Sequence, residues 1–181
     1  MRDEALDLLY PLTEFYEQAG LSLPEVERME ASQIPEPYRS LLVHENDMTP
    51  TLERFHQQPV RLRMLNHQRR GDVYSREVLL LVSGSNTPVE FGAIRIYLHH
   101  FSPPAQQLIL ENRRPLGSIL SSERITHTSH PRAYIRIASD MTIGQALQAE
   151  SSQLLYGRRN VLLNSSEEVL AEIVEILPPL A

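Results

Sequence analysis

The spacing of apolar residues changes period along the chain. From Asp3 to Ala19, Leu6, Leu9, Leu12, Phe15 and Tyr16 recur at helical spacing. That predicts a helix kinked at Pro11 and closed by Gly20. Leu21 to Tyr38 holds Pro24, Pro35 and Pro37 and has no clear period, so it reads as an irregular arm with about one helical turn. Thr49 followed by Pro50 reads as the N-cap and first position of a short helix ending at His56. The period then becomes two, Val60, Leu62 and Met64 alternating with Arg61 and Arg63. Arg70-Gly71-Asp72 turns into a second strand, Tyr74–Val82, and Gly84-Ser85-Asn86 into a third, Val89–Leu98. Three strands joined by short turns predict an antiparallel meander.

Ser102-Pro103-Pro104 caps a helix running to Glu111, and Arg114-Pro115-Leu116-Gly117 leads into another short helical turn. Thr126–Ala138 reads as a strand interrupted near Pro131. Residues 140–152 carry Ile143, Ala146 and Leu147 and read as a short helix, and Leu154–Leu163 with Val169–Leu177 as a last hairpin. About six strands and four or so helices, grouped rather than alternating, predict an α+β fold with helices packed on an antiparallel sheet. We take residues 1–181 as one domain, with a helix and irregular arm over 1–40 and the core over 41–181.

Composition narrows the chemistry. The chain has no cysteine, so disulfides and thiolate sites are excluded, and all 17 basic residues are arginine. Without lysine, Schiff-base chemistry is excluded too. Any fixed anion site must rest on arginine, histidine or backbone N–H groups. The net charge of −6 argues against a nucleic-acid partner, and Arg61/Arg63, Arg69/Arg70 and Arg113/Arg114 read as solvated strand edges and loops. No apolar run is long enough for a membrane span, and the opening MRDEALDLLYPL lacks the cationic start of a signal peptide, so the expected location is the cytoplasm. The histidines show no metal-ligand spacing, and no Gly-x-Ser-x-Gly or phosphate-cradling loop occurs.

Two strands carry charges in apolar surroundings. In Val169–Leu177 both faces are largely apolar, yet one holds Glu175 and the other Glu172. A buried carboxylate must be paired, or its pKa rises and it stays protonated. Either state suits an acid–base group, and an ordinary structural ion pair suits the same pattern. Arg76 shares a face with Val78, Leu80 and Val82, and an arginine at the edge of a core needs a partner. Glu175, Glu172 and a ligand carboxylate all qualify.

Taken in order, LLVHENDMTPTLERF, SREVLLL, RPLGSIL, LYGRRNVL and AEIVEILPP resemble chorismate lyases, the bacterial 4-hydroxybenzoate synthases, over roughly residues 40–181. The resemblance implies a single α+β domain whose ligand lies beneath helical flaps. It implies a cofactor-free, metal-free elimination of pyruvate from chorismate on the route to quinones such as ubiquinone. Residue by residue, it makes Arg76 and Glu175 the catalytic and ligand-binding pair. Backbone near Met48 and Leu116 touches the ligand, and Arg158 and Arg159 lend support behind. The Glu-Ile-Leu-Pro-Pro ending departs from the family's single proline and leaves Glu172 as the alternative acid, while 140–152 reads as an insertion. A small-molecule substrate is the implied partner, to a monomer or homodimer. The same fold serves as the effector-sensing domain of some bacterial transcription regulators, so a non-catalytic aromatic-carboxylate binder is the alternative to the lyase.

Overall fold

A computed structural model describes residues 7–180. Its strands are β1 (Val26–Met29), β2 (Val60–Arg70), β3 (Val73–Val82), β4 (Pro88–Tyr97), β5 (Thr128–Ala138), β6 (Leu154–Leu163) and β7 (Val169–Ile176). They form one sheet in the order β1-β5-β6-β7-β4-β3-β2, antiparallel throughout. The expected meander is β2–β3–β4, with Gly71 at φ 61 in its first turn. The last hairpin inserts β7 beside β4, which puts β7 in the middle of the sheet. A central strand covered on both sides accounts for its two apolar faces.

The helices are α1 (Leu12–Gln18), α2 (Tyr38–Leu42), α3 (Met48–His56), α4 (Pro103–Leu110), α5 (Leu116–Ser122) and α6 (Met141–Leu147). On one sheet face, Leu79, Leu81, Phe91, Ile135, Val174 and Ile176 pack against Leu12, Phe15 and Tyr16 of α1 and Ile143 and Leu147 of α6. The other face carries two clusters. One joins Leu41, Met48 and Leu52 of α2 and α3 to Leu62, Val78 and Leu80. The other joins Ala105, Ile109, Leu116 and Ile119 of α4 and α5 to Ile94 and Leu162. The seam between these clusters is where the cavity lies.

Three expectations change in detail. The expected first helix falls partly outside the described residues, and within them a helical turn at 7–9 is interrupted at Tyr10-Pro11 before α1. The irregular arm supplies a seventh strand. Val26–Met29 is too short and too polar to show a period, and it becomes a strand because β5 offers a free edge to pair with. Helix α3 starts two residues earlier than Thr49-Pro50 suggests, with Asp47 as its N-cap. Pro50 is tolerated inside the first turn because N–H groups there need no intrahelical acceptor. Ser102 caps α4 as expected, accepting a hydrogen bond from Ala105 N–H, and Asp140 does the same for α6 through Ile143 N–H.

Candidate functional site

The strand registers lay out a floor in rows. Arg76 on β3 stands opposite Ile94 on β4, Val78 opposite Gly92, and Leu80 opposite Glu90. Ile94 continues to Ile173 on β7 and Gly92 to Glu175. These continue in turn to Asn160 and Arg158 on β6. Above this floor stand Met48 and Thr49 at the head of α3, and Pro115, Leu116 and Gly117 at the head of α5. Together they line a cavity that is partly open to solvent. A Cβ on Gly117 would come within 3.0 Å of Thr49 Oγ1, so the two helix heads meet closely over the floor. Gly92 leaves the middle of the floor without a side chain. A Cβ there would stand 2.1 Å from the Val174 carbonyl oxygen, so β7 lies against β4 at a distance only glycine allows.

Four ionisable side chains lie in or under this floor, all but removed from solvent: Arg76, Glu90, Arg158 and Glu175. Arg158 and Glu175 satisfy each other, Nε donating to Oε2 at 2.5 Å. The Arg158 fork also donates to the carbonyls of Leu42, His44 and Asn46, which ties the segment between α2 and α3 to β6. Arg76 has no carboxylate partner among the described residues. Its Nη2 donates to the Arg114 carbonyl at 3.1 Å, while Nε and Nη1 are buried without a partner. Burial pulls its pKa down to about 10, which still leaves it charged at neutral pH. Whichever Nη2 hydrogen Arg114 takes, one two-donor edge of the guanidinium stays open, and that edge matches a carboxylate.

Glu90 is the reverse case. Its Oε2 is buried and unpartnered. Burial first, and the neighbouring Glu175 second, hold its carboxyl well above the usual carboxylate range, against a smaller opposing pull from Arg158. At the mouth, Asp47 accepts from His127 Nε2 at 2.8 Å, and that bond raises the pKa of His127.

The sequence-predicted residues therefore separate. Arg76, Glu175, Met48 and Leu116 all line the cavity. Arg76 and Glu175 are not an ion pair, because Arg158 holds Glu175. Glu172 lies on the opposite face, where Tyr97 donates to it at 2.7 Å and Arg159 at 3.1 Å. Arg159 thus belongs with Glu172 rather than behind the cavity. Glu90, Asp47 and Asn160 are cavity residues that strand patterning did not single out. Glu90 carried a usable signal, a lone carboxylate between Val89 and Phe91 in a strand otherwise nearly all apolar. Asp47 and Asn160 carried none, since a polar residue beside a helix start or in a strand is ordinary.

No family model and no curated protein matches this chain. Among solved structures, PhnF from Mycobacterium smegmatis is similar at a TM-score of 0.59 and 12% identity, covering 95% of this chain and 87% of that one. The effector domain of PhnF from Mycobacterium smegmatis gives 0.55 at 10% identity, covering 73% and 88%. A gene product from Staphylococcus aureus gives 0.56 at 7% identity, covering 75% and 90%. At such identities the likeness shows the fold, a chorismate lyase-like α+β fold, and no more.

Proposed function

We propose that the cavity binds a small aromatic-type carboxylate, with its carboxyl on Arg76, and that the domain acts as a non-catalytic effector-binding module. The observation that carries this reading is the open guanidinium edge of Arg76 inside an otherwise mostly apolar enclosure. A buried, always-charged group with two unpartnered donors costs stability unless something occupies it. A ligand carboxylate fits both its charge and its fork. Apolar walls from Val78, Leu80, Ile94 and Leu162 suit a ring. The same fold in a structure described as an effector domain supports binding over turnover.

A second reading rests on a different observation, the carboxyls of Asp47, Glu90 and Glu175 lining one cavity. Elimination of pyruvate from chorismate removes the proton at C4 and breaks the C3–O bond. The departing enolpyruvate takes up a proton to become pyruvate, and the ring becomes 4-hydroxybenzoate. In that reading Glu175 takes the C4 proton or holds the 4-hydroxyl, Arg76 holds the ring carboxylate, and Arg158 orients Glu175. Main-chain groups at Met48 and Leu116 complete the enclosure. One experiment separates the two readings. The pure protein is incubated with chorismate while pyruvate is followed, and 4-hydroxybenzoate binding is titrated in parallel. Saturable binding without pyruvate supports the effector module, pyruvate release supports the lyase, and neither signal removes both.

A further inference from the structure

We propose that Glu90 is a specificity-determining residue of this cavity: its unpartnered Oε2 hydrogen-bonds the second polar group of a bound carboxylate and selects an uncharged oxygen there over a second carboxylate. The proposal rests on the reading of the cavity as a carboxylate site anchored by Arg76.

The register fixes where Glu90 acts. Arg76 is opposite Ile94 and Leu80 is opposite Glu90. The two ionisable residues are therefore anchored four residues apart along the meander, about 13 Å of strand. Both line one cavity, whose floor between them is Val78 and Gly92. A ligand with its carboxyl on Arg76 and its body over this floor presents its far end toward Glu90.

The charges around Glu90 fix what it accepts. Glu175 on β7 is taken by Arg158 on β6. Asp47 at the head of α3 is taken by His127. Arg76 on β3 belongs to the opposite end of the floor. No described cation pairs with Glu90, and its burial beside Glu175 favours the protonated carboxyl, which offers one donor and one acceptor. The innermost charges are then Arg76 and Arg158 against Glu175, one net positive, which one ligand carboxylate neutralises. A second carboxylate beside Glu90 would be buried with no cation to meet it. A hydroxyl there can exchange hydrogen bonds with the carboxyl and satisfies the orphaned oxygen.

The test compares benzoate rings differing only at the para position, by calorimetry at neutral pH. In the wild-type protein 4-hydroxybenzoate should bind roughly five- to tenfold tighter than the equal-sized 4-methylbenzoate, the yield of one buried hydrogen bond. Terephthalate should bind more weakly than either. E90M should bring the hydroxyl-to-methyl ratio to about one, and E90Q should keep it. If E90M does not fold, infrared difference spectra decide. Ligand uptake should shift the carbonyl stretch of a protonated carboxyl in wild type, and E90Q should lack that shifted band. A hydroxyl preference that is absent in wild type, that survives E90M, or that comes without the band overturns the role of Glu90 while leaving the cavity reading intact. If no probe binds, the cavity reading fails and this inference falls with it.

Discussion

Arg158 donates to Glu175 at 2.5 Å with both side chains buried, and this pairing is why Arg76 keeps an open edge. Removing one member should strand the other's charge. Glu175→Leu and Arg158→Met should each cost about 3–5 kcal/mol, and the double variant should recover most of that loss. Urea unfolding of the four proteins measures it. Additive losses in the double variant would show that the pair is not the coupled unit described here.

Gly92→Ala should be among the most damaging small substitutions in the protein. The added Cβ would meet the Val174 backbone at 2.1 Å, and backbone inside a central strand pair cannot yield cheaply. Gly157→Ala should behave alike, because its Cβ would meet the Glu175 carbonyl oxygen at 2.3 Å. Gly144→Ala, inside α6, where the nearest atom is the Ala149 carbonyl oxygen at 3.0 Å just past the helix end, should be far milder. Thermal melts rank the three, and equal melting temperatures would contradict the close approach of β7.

Glu172→Gln should leave ligand binding within about twofold and lower stability by about 1 kcal/mol, since its partners Tyr97 and Arg159 lie on the face away from the cavity. Titration with 4-hydroxybenzoate and urea unfolding read the two effects separately. A large loss of binding would mean that the wrong glutamate has been placed in the cavity.

The Asp47–His127 contact should make stability depend on pH. The bond raises the pKa of His127 in the folded protein, so the folded state holds the proton more tightly than the unfolded chain does. The stabilisation is fully present below the unfolded value of about 6.5 and is lost as pH rises through the higher folded value. The stability advantage of wild type over His127→Gln should therefore be larger at pH 5.5 than at pH 8.5, as read by denaturant midpoints. An advantage that grows with pH would contradict the assignment.

Much of the architecture follows from local pattern. Val60, Leu62 and Met64, the Arg70-Gly71-Asp72 turn and Ser102-Pro103 each act over a few residues, and the structure shows the elements they imply. Val26–Met29 became a strand only because β5, a hundred residues later, had an edge to fill. Pattern showed that Arg76 and Glu175 were charges in apolar strands, each in need of a partner. It could not show that Arg158 takes Glu175, because the expected hairpin sets β6 beside β7 but not the register that places Arg158 opposite Glu175. Strand pattern alone left Glu172 and Glu175 equivalent, with the resemblance favouring Glu175, and it is the covering of the two sheet faces that separates them. Glu90 is legible in retrospect, since an apolar strand at the centre of a sheet has no ordinary place for a carboxylate.

The most direct test of the cavity is Arg76→Met, which removes the charge and keeps much of the volume. It is read by 4-hydroxybenzoate titration together with unfolding stability. Binding should fall at least a hundredfold, as expected for loss of a two-bond charged contact. Stability should be unchanged or higher, because a buried guanidinium with unpartnered donors has been replaced by an apolar chain. Binding retained within about threefold of wild type would contradict Arg76 as the carboxylate anchor.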